Sequence, residues 1–85
     1  MSRPIDRGIV VIDTEADGTK TVRICAQMRH GEPVSVYAKH TGISAVNVSP
    51  GVAMVTSGSR SHSRGIVEAS GENGQVEVRP VTAIA

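Results

Sequence analysis

Between Gly58 and Gly65 the chain reads Ser59-Arg60-Ser61-His62-Ser63-Arg64, small hydroxyls alternating with basic groups. That pattern suits phosphate oxygens. An arginine donates two parallel hydrogen bonds, serine hydroxyls and glycine-freed amides add neutral donors, and a histidine gains charge under mild acid. Arg60, His62 and Arg64 are therefore candidate nucleic-acid contacts, with Lys39 as a further cation. The plainer reading of the same segment is a solvated polar connector, because Ser- and Gly-rich loops commonly link strands.

Other reactive residue types are present without the spacing their chemistry needs. His30, His40, His62 and Cys25 include no Cys-x-x-Cys and no His-x-x-x-His pair, so no metal site is expected. A nucleophilic triad drawn from the many serines, a histidine and Asp13 has no distinguishing pattern, so no catalytic residue is expected either. Cys25 reads as a small half-buried filler on the more polar face of its strand, and Tyr37 as a partly exposed strand aromatic or subunit contact. Asp13, Glu15 and Asp17 surround a turn but lack the remaining ligands of an EF-hand loop, which makes a solvated turn the better reading.

Net charge is only +1, but it is unevenly distributed. Residues 18–66 hold Lys20, Arg23, Arg29, Lys39, Arg60 and Arg64 against Glu32 alone, while both flanking segments are acidic. A basic middle between acidic ends offers an anion-binding face, unless folding intermixes the charges.

The elements that must position these residues are strands. The chain has no leucine, phenylalanine or tryptophan, whereas thirteen valines and seven isoleucines carry nearly all its hydrophobicity. Such β-branched side chains are stiff at χ1 and pack well on a pleated surface. Gly8–Asp13 reads as a short buried strand ended by the Asp17-Gly18 turn. Thr19–Arg29 alternates, with Val22, Ile24, Ala26 and Met28 on one face and Thr21, Arg23, Cys25, Gln27 and Arg29 on the other. His30-Gly31-Glu32-Pro33 is a turn, Val34–Lys39 a third strand, and His40-Thr41-Gly42 a break. Val46 and Val48 alternate in a fourth strand, Ser49-Pro50-Gly51 is a turn, Val52–Thr56 a fifth strand, and Ser57–Gly65 a polar loop. Ile66–Ala69 and Gln75–Arg79 form a final hairpin, with Pro80 placing the last strand at an edge or stopping it. The expected fold is all-β: one domain over residues 1–85, an antiparallel barrel or sandwich of about seven short strands.

A chain of this size buries a modest share of its surface, and Tyr37 is the one aromatic that could add a large buried side chain. One cysteine excludes an internal disulfide, so association into a homo-oligomer is the expected way to complete the core. The single cysteine, the absence of an apolar run after Met1, and the absence of any stretch long enough for a membrane span lead to an expected cytoplasmic location without membrane contact.

The order of segments resembles the trp RNA-binding attenuation protein family. The resemblance lies in Ile9-Val10-Val11-Ile12 followed by Asp17-Gly18, then Gly31-Glu32, His40-Thr41, Ser44-Ala45-Val46, Val48, Gly51 and Gly65-Ile66-Val67-Glu68. It implies a ring of identical all-β subunits, tryptophan held between neighbours, and RNA wrapped around the rim. His40 and Thr41 match a loop that in the family helps enclose tryptophan, so the resemblance makes them candidate ligand contacts and a tryptophan-like molecule the candidate small ligand. The family's lysine and arginine on the following strand fall at Asn47 and Ser49 here, and the segment before Gly31 is shorter. The ring is therefore implied more directly than either ligand.

Together these readings favour a non-enzymatic homo-oligomer that binds nucleic acid, RNA ahead of DNA, through basic loops. The second reading is a protein-interaction or assembly module, such as a phage structural protein or an inhibitor of a host complex. A third is a small-ligand sensor at a subunit boundary near His40 and Thr41.

Overall fold

The valine- and isoleucine-rich runs do form strands. The computed structural model describes residues 4–81, which contain eight strands and no helix; Met1, Ser2 and Arg3, read above for a leader, and residues 82–85 lie outside the described residues. The strands are β1 (Asp6–Thr14), β2 (Lys20–Arg29), β3 (Glu32–Ile43), β4 (Ala45–Val48), β5 (Met54–Ser57), β6 (Arg60–Ser63), β7 (Val67–Glu72) and β8 (Gln75–Pro80). Two hairpins turn through two residues that both have positive φ, His30 (52°) with Gly31 (78°) and Asn73 (53°) with Gly74 (75°). That mirror-image turn matches strand twist, and glycine at its second position enters the left-handed region without steric cost.

The sheet runs β3-β2-β1-β7-β8-β4, with β6 pairing both β1 and β5. Its two ends, β3 and β4, are consecutive in the chain and separated by Ser44 alone. The sheet therefore curls into one all-β domain whose circuit is closed by covalent chain rather than by a hydrogen-bonded ladder. Ser44 fixes the crossing, its amide and hydroxyl both donating to the Gly74 carbonyl at 2.8 and 3.0 Å.

β1 changes partner along its length. Asp6 to Gly8 pair with β7, and Val11 to Asp13 pair with β6. Between them the Val10 amide donates to Ser63 Oγ at 3.0 Å, and Ser63 Oγ donates to the Gly65 carbonyl at 2.9 Å. Ser63 is buried, so its hydroxyl replaces the missing rung, and removing it would orphan a buried amide at a cost of about 1–3 kcal/mol.

The core is made almost wholly of β-branched side chains. Val10, Ile12, Val22, Ile24 and Ile43 from β1 to β3 pack against Val67, Ala69, Val76 and Val78 from β7 and β8. Ile24 heads the fully buried side chains in size. Each Val or Ile buried in this way contributes about 1.5–3 kcal/mol.

Several expectations require correction. The sheet is mixed, because β4 runs parallel to β8: with only Ser44 between β3 and β4, the chain enters beside β8 in that strand's direction. The described residues form eight strands rather than about seven, because the expected loop Ser57–Gly65 contains β6. β8 stops at Pro80 but is no edge strand, lying between β7 and β4. His40-Thr41-Gly42 does not interrupt β3; a register shift between Lys20 and Val22 absorbs the irregularity within a continuous strand. On β2, Val22 and Ile24 are buried as expected, but so are Thr21 and Cys25 from the other face, while Ala26 is exposed. A second register shift, between Ile24 and Cys25, and the left-handed Ser35 (φ 59°) bend the hairpin there.

Candidate nucleic-acid interface

Strand register assembles the basic residues on the outer face of β1, β2, β3 and β6. Lys39 lies opposite Arg23, Arg23 opposite Val11, and Val11 opposite His62, a row spanning about 14 Å at the usual strand spacing. On the same face Asp13 lies opposite Thr21 on one side and Arg60 on the other.

Arg60 is held there. Its Nε and Nη2 donate to the two Asp13 carboxylate oxygens at 2.6 and 3.1 Å, the bidentate geometry that a phosphate would otherwise receive. Its Nη1 donates to the Gly31 carbonyl at 2.8 Å and lies 3.0 Å from Glu32 Oε2. Arg23 Nη1 reaches the same Asp13 carboxylate at 2.6 Å. The Asp13 hydrogen bonds, reinforced by Glu32, hold the Arg60 proton more tightly than usual against an opposing effect of burial. Arg60, expected as a free loop cation, is instead a structural clamp whose guanidinium donors are already engaged.

The clamp pulls the β2–β3 hairpin back over the sheet. A straight run from Thr21 to Gly31 would carry the tip about 33 Å away, yet Gly31 touches the arginine paired with Thr21's neighbour. Folding the tip back accounts for the complete burial of Val11 and Cys25 on what would be an outer face. Burial pushes the Cys25 thiol pKa up, opposed by hydrogen bonds from the Val34 and Gln27 backbone, and Sγ lies 3.9 Å from Met28 Sδ. Cys25 is thus a fully buried filler, not a half-buried one.

Under the tip lies a cleft of about 410 Å³, lined by His30, Glu32, Ser57, Ser59 and His62 beside the Asp13–Arg60 pair. Two carboxylates share it and its arginine is engaged, so it is no anion cradle. His62 is half-buried, with Nδ1 3.0 Å from the Ser63 carbonyl; that contact makes Nδ1 the protonated ring nitrogen.

The remaining expected cations stay available. Arg64 follows β6 and is exposed; its amide donates to the Ala53 carbonyl at 3.0 Å, while its guanidinium forms no ion pair among the described residues. Lys39 is exposed and likewise forms no ion pair among the described residues. Arg29, beside the β2–β3 turn, belongs with them: it is exposed and forms no ion pair among the described residues, and its position next to His30-Gly31 is the sequence signal for an exposed tip.

His40 and Thr41 do not form an enclosing loop. They are consecutive residues within β3, with Thr41 exposed and the half-buried His40 ring packed on β7, where a Cβ at Gly71 would lie 3.2 Å from it. Gly71 is what admits the imidazole. Asp13, Glu15 and Asp17 also separate: Asp13 serves the arginines, while Asp17 Oδ1 accepts from the Thr19 hydroxyl and amide at 2.6 and 2.9 Å, bonds that lower its pKa. Among the described residues no group of three or more His, Cys, Asp or Glu is placed to hold a metal. No family model matches the chain, and neither a curated protein nor a solved structure matches it.

Proposed function

We propose that this chain is a non-enzymatic subunit that associates with its own copies and binds nucleic acid, RNA ahead of DNA, through exposed cations on the β2, β3 and β6 side. The observation that carries this reading is the division of charge in the basic middle. Arg23, Arg60, Asp13 and Glu32 form a neutral network, which leaves Arg29, Lys39 and Arg64 exposed and in no ion pair among the described residues, although Arg29 lies opposite Glu32 across the turn. With Tyr37 as the one aromatic, contacts to the phosphate backbone rather than repeated base stacking supply the affinity. Three cations bind a strand weakly, and repetition around an assembly multiplies that affinity.

Association has its own support. Among the described residues β3, β4 and β5 each have one edge unpaired in the sheet, and β3 exposes Val36 and Tyr37, at 42% and 54%. An uncovered edge with apolar side chains is a template for another strand. The same observation favours a second reading, an assembly module that recognises protein alone. Mass in solution together with titration of single-stranded RNA at low salt separates the two. An oligomer that binds RNA supports the proposal, and an oligomer without RNA affinity leaves the assembly module.

A further inference from the structure

Among the described residues the strands leave a seam open beside the core. Among the described residues β4 pairs only with β8 and β5 only with β6, and no ladder joins β4 to β5. Along that seam runs a groove of about 290 Å³, walled by Ile12, Val46, Val48 and Met54. Val46 and Met54 pack on the core yet remain half-buried, and Val48 is 38% exposed, because none of the described strands covers them. A leucine or phenylalanine would fill such a space, and the chain has neither.

We propose that this groove binds a small amphipathic carboxylate, an apolar chain or ring carrying one anionic group, with Lys20 pairing the carboxylate. Lys20 stands at the rim, half-buried, opposite Thr14 on β1. It makes no ion pair among the described residues, and the lining contains no carboxylate to compete for it. The Thr56 and Ser61 hydroxyls, also in the lining, satisfy each other at 3.0 Å and place little polar demand on an apolar body. The volume lies just below the roughly 300–1,000 Å³ usual for ligand pockets, which limits the body to a short chain or a single ring. A cation beside an apolar slot selects against amines and against anions without an apolar tail.

This site lies on the core-facing side of the sheet, whereas Lys39 and His62 lie on the outer face, so it stands or falls independently of RNA binding. The test is titration of octanoate and octanol into methyl-labelled full-length protein, read from the Val46, Val48 and Met54 methyl shifts. Saturable octanoate shifts centred on these methyls are expected. Lys20→Met should weaken octanoate about 5-fold, the size of a half-exposed ion pair, without weakening octanol, and Lys20→Arg should restore octanoate. If Lys20→Met loses the folded spectrum, Lys20→Gln carries the same comparison. No saturable octanoate binding at millimolar concentration, shifts centred elsewhere, or an octanoate affinity unmoved by loss of the ammonium overturns the assignment. So does concentration-dependent broadening of the same methyls without added ligand, which would identify a second copy as the occupant.

Discussion

Arg60 and Arg64 belong to one Ser-Arg-Ser-His-Ser-Arg segment but occupy opposite settings. Arg60 lies at the start of β6 opposite Asp13, with its side chain 25% exposed and its guanidinium engaged by Asp13, Glu32 and the Gly31 carbonyl. Arg64 lies past the end of β6, exposed and without an ion pair among the described residues. The difference teaches that a carboxylate on the neighbouring strand decides whether an arginine serves folding or remains open to a partner. Asp13 thus divides the basic middle into a structural half and a surface half.

Removing Asp13 should have the largest effect on this division. Asp13→Ala leaves Arg23 and Arg60 without their shared counter-ion in a partly buried setting, and a loss of about 3 kcal/mol is expected, measured from the urea midpoint. An unchanged midpoint would mean that the network is ornamental. Next comes the direct contrast. Arg60→Ala should cost about 1–2 kcal/mol, because it breaks charge-assisted hydrogen bonds and releases the hairpin tip, whereas Arg64→Ala should stay within about 0.5 kcal/mol of the parent. Equal losses would erase the distinction.

The thiol beneath the tip sharpens the same contrast. Burial makes the folded chain hold the Cys25 proton more tightly than the unfolded chain does, so the stability from the neutral thiol is complete below the ordinary pKa of 9.0 and declines as pH rises through the raised value. The parent should therefore lose stability relative to Cys25→Ala as pH rises from 9.0 through the raised value, read from the urea midpoint. At neutral pH, Arg60→Ala should speed alkylation of Cys25 by iodoacetamide, and Arg64→Ala should leave the rate unchanged. Equal alkylation rates in the two variants would separate the clamp from the burial of Cys25.

Local features of this molecule were readable from sequence, whereas those set by distant partners were not. The alternation around Val22 and Ile24 and the turns at His30-Gly31 and Asn73-Gly74 follow from residues adjacent in the chain. Ser59 to Arg64 read as a loop because serine and arginine carry little strand preference; β6 exists because β1 and β5 pair with it on either side. The role of Arg60 depends on a carboxylate 47 residues away, and the parallel β4–β8 pair depends on how the whole sheet curls. Cys25 followed the alternation but not the bend that covers it. Lys39 and Arg64 were identifiable as cations, but their availability became visible only once Asp13 and Glu32 were assigned to other residues.

The most direct test is the salt dependence of single-stranded RNA binding by the parent, by Lys39→Ala/Arg64→Ala and by Arg60→Ala under conditions where all three are folded. The expected result is parent binding that weakens steeply with salt. The log–log slope should shrink by about 0.7 for each phosphate contact removed in the double variant and stay near the parent's in Arg60→Ala. Absence of binding at low salt, or a slope that collapses in Arg60→Ala but not in the double variant, would contradict the account.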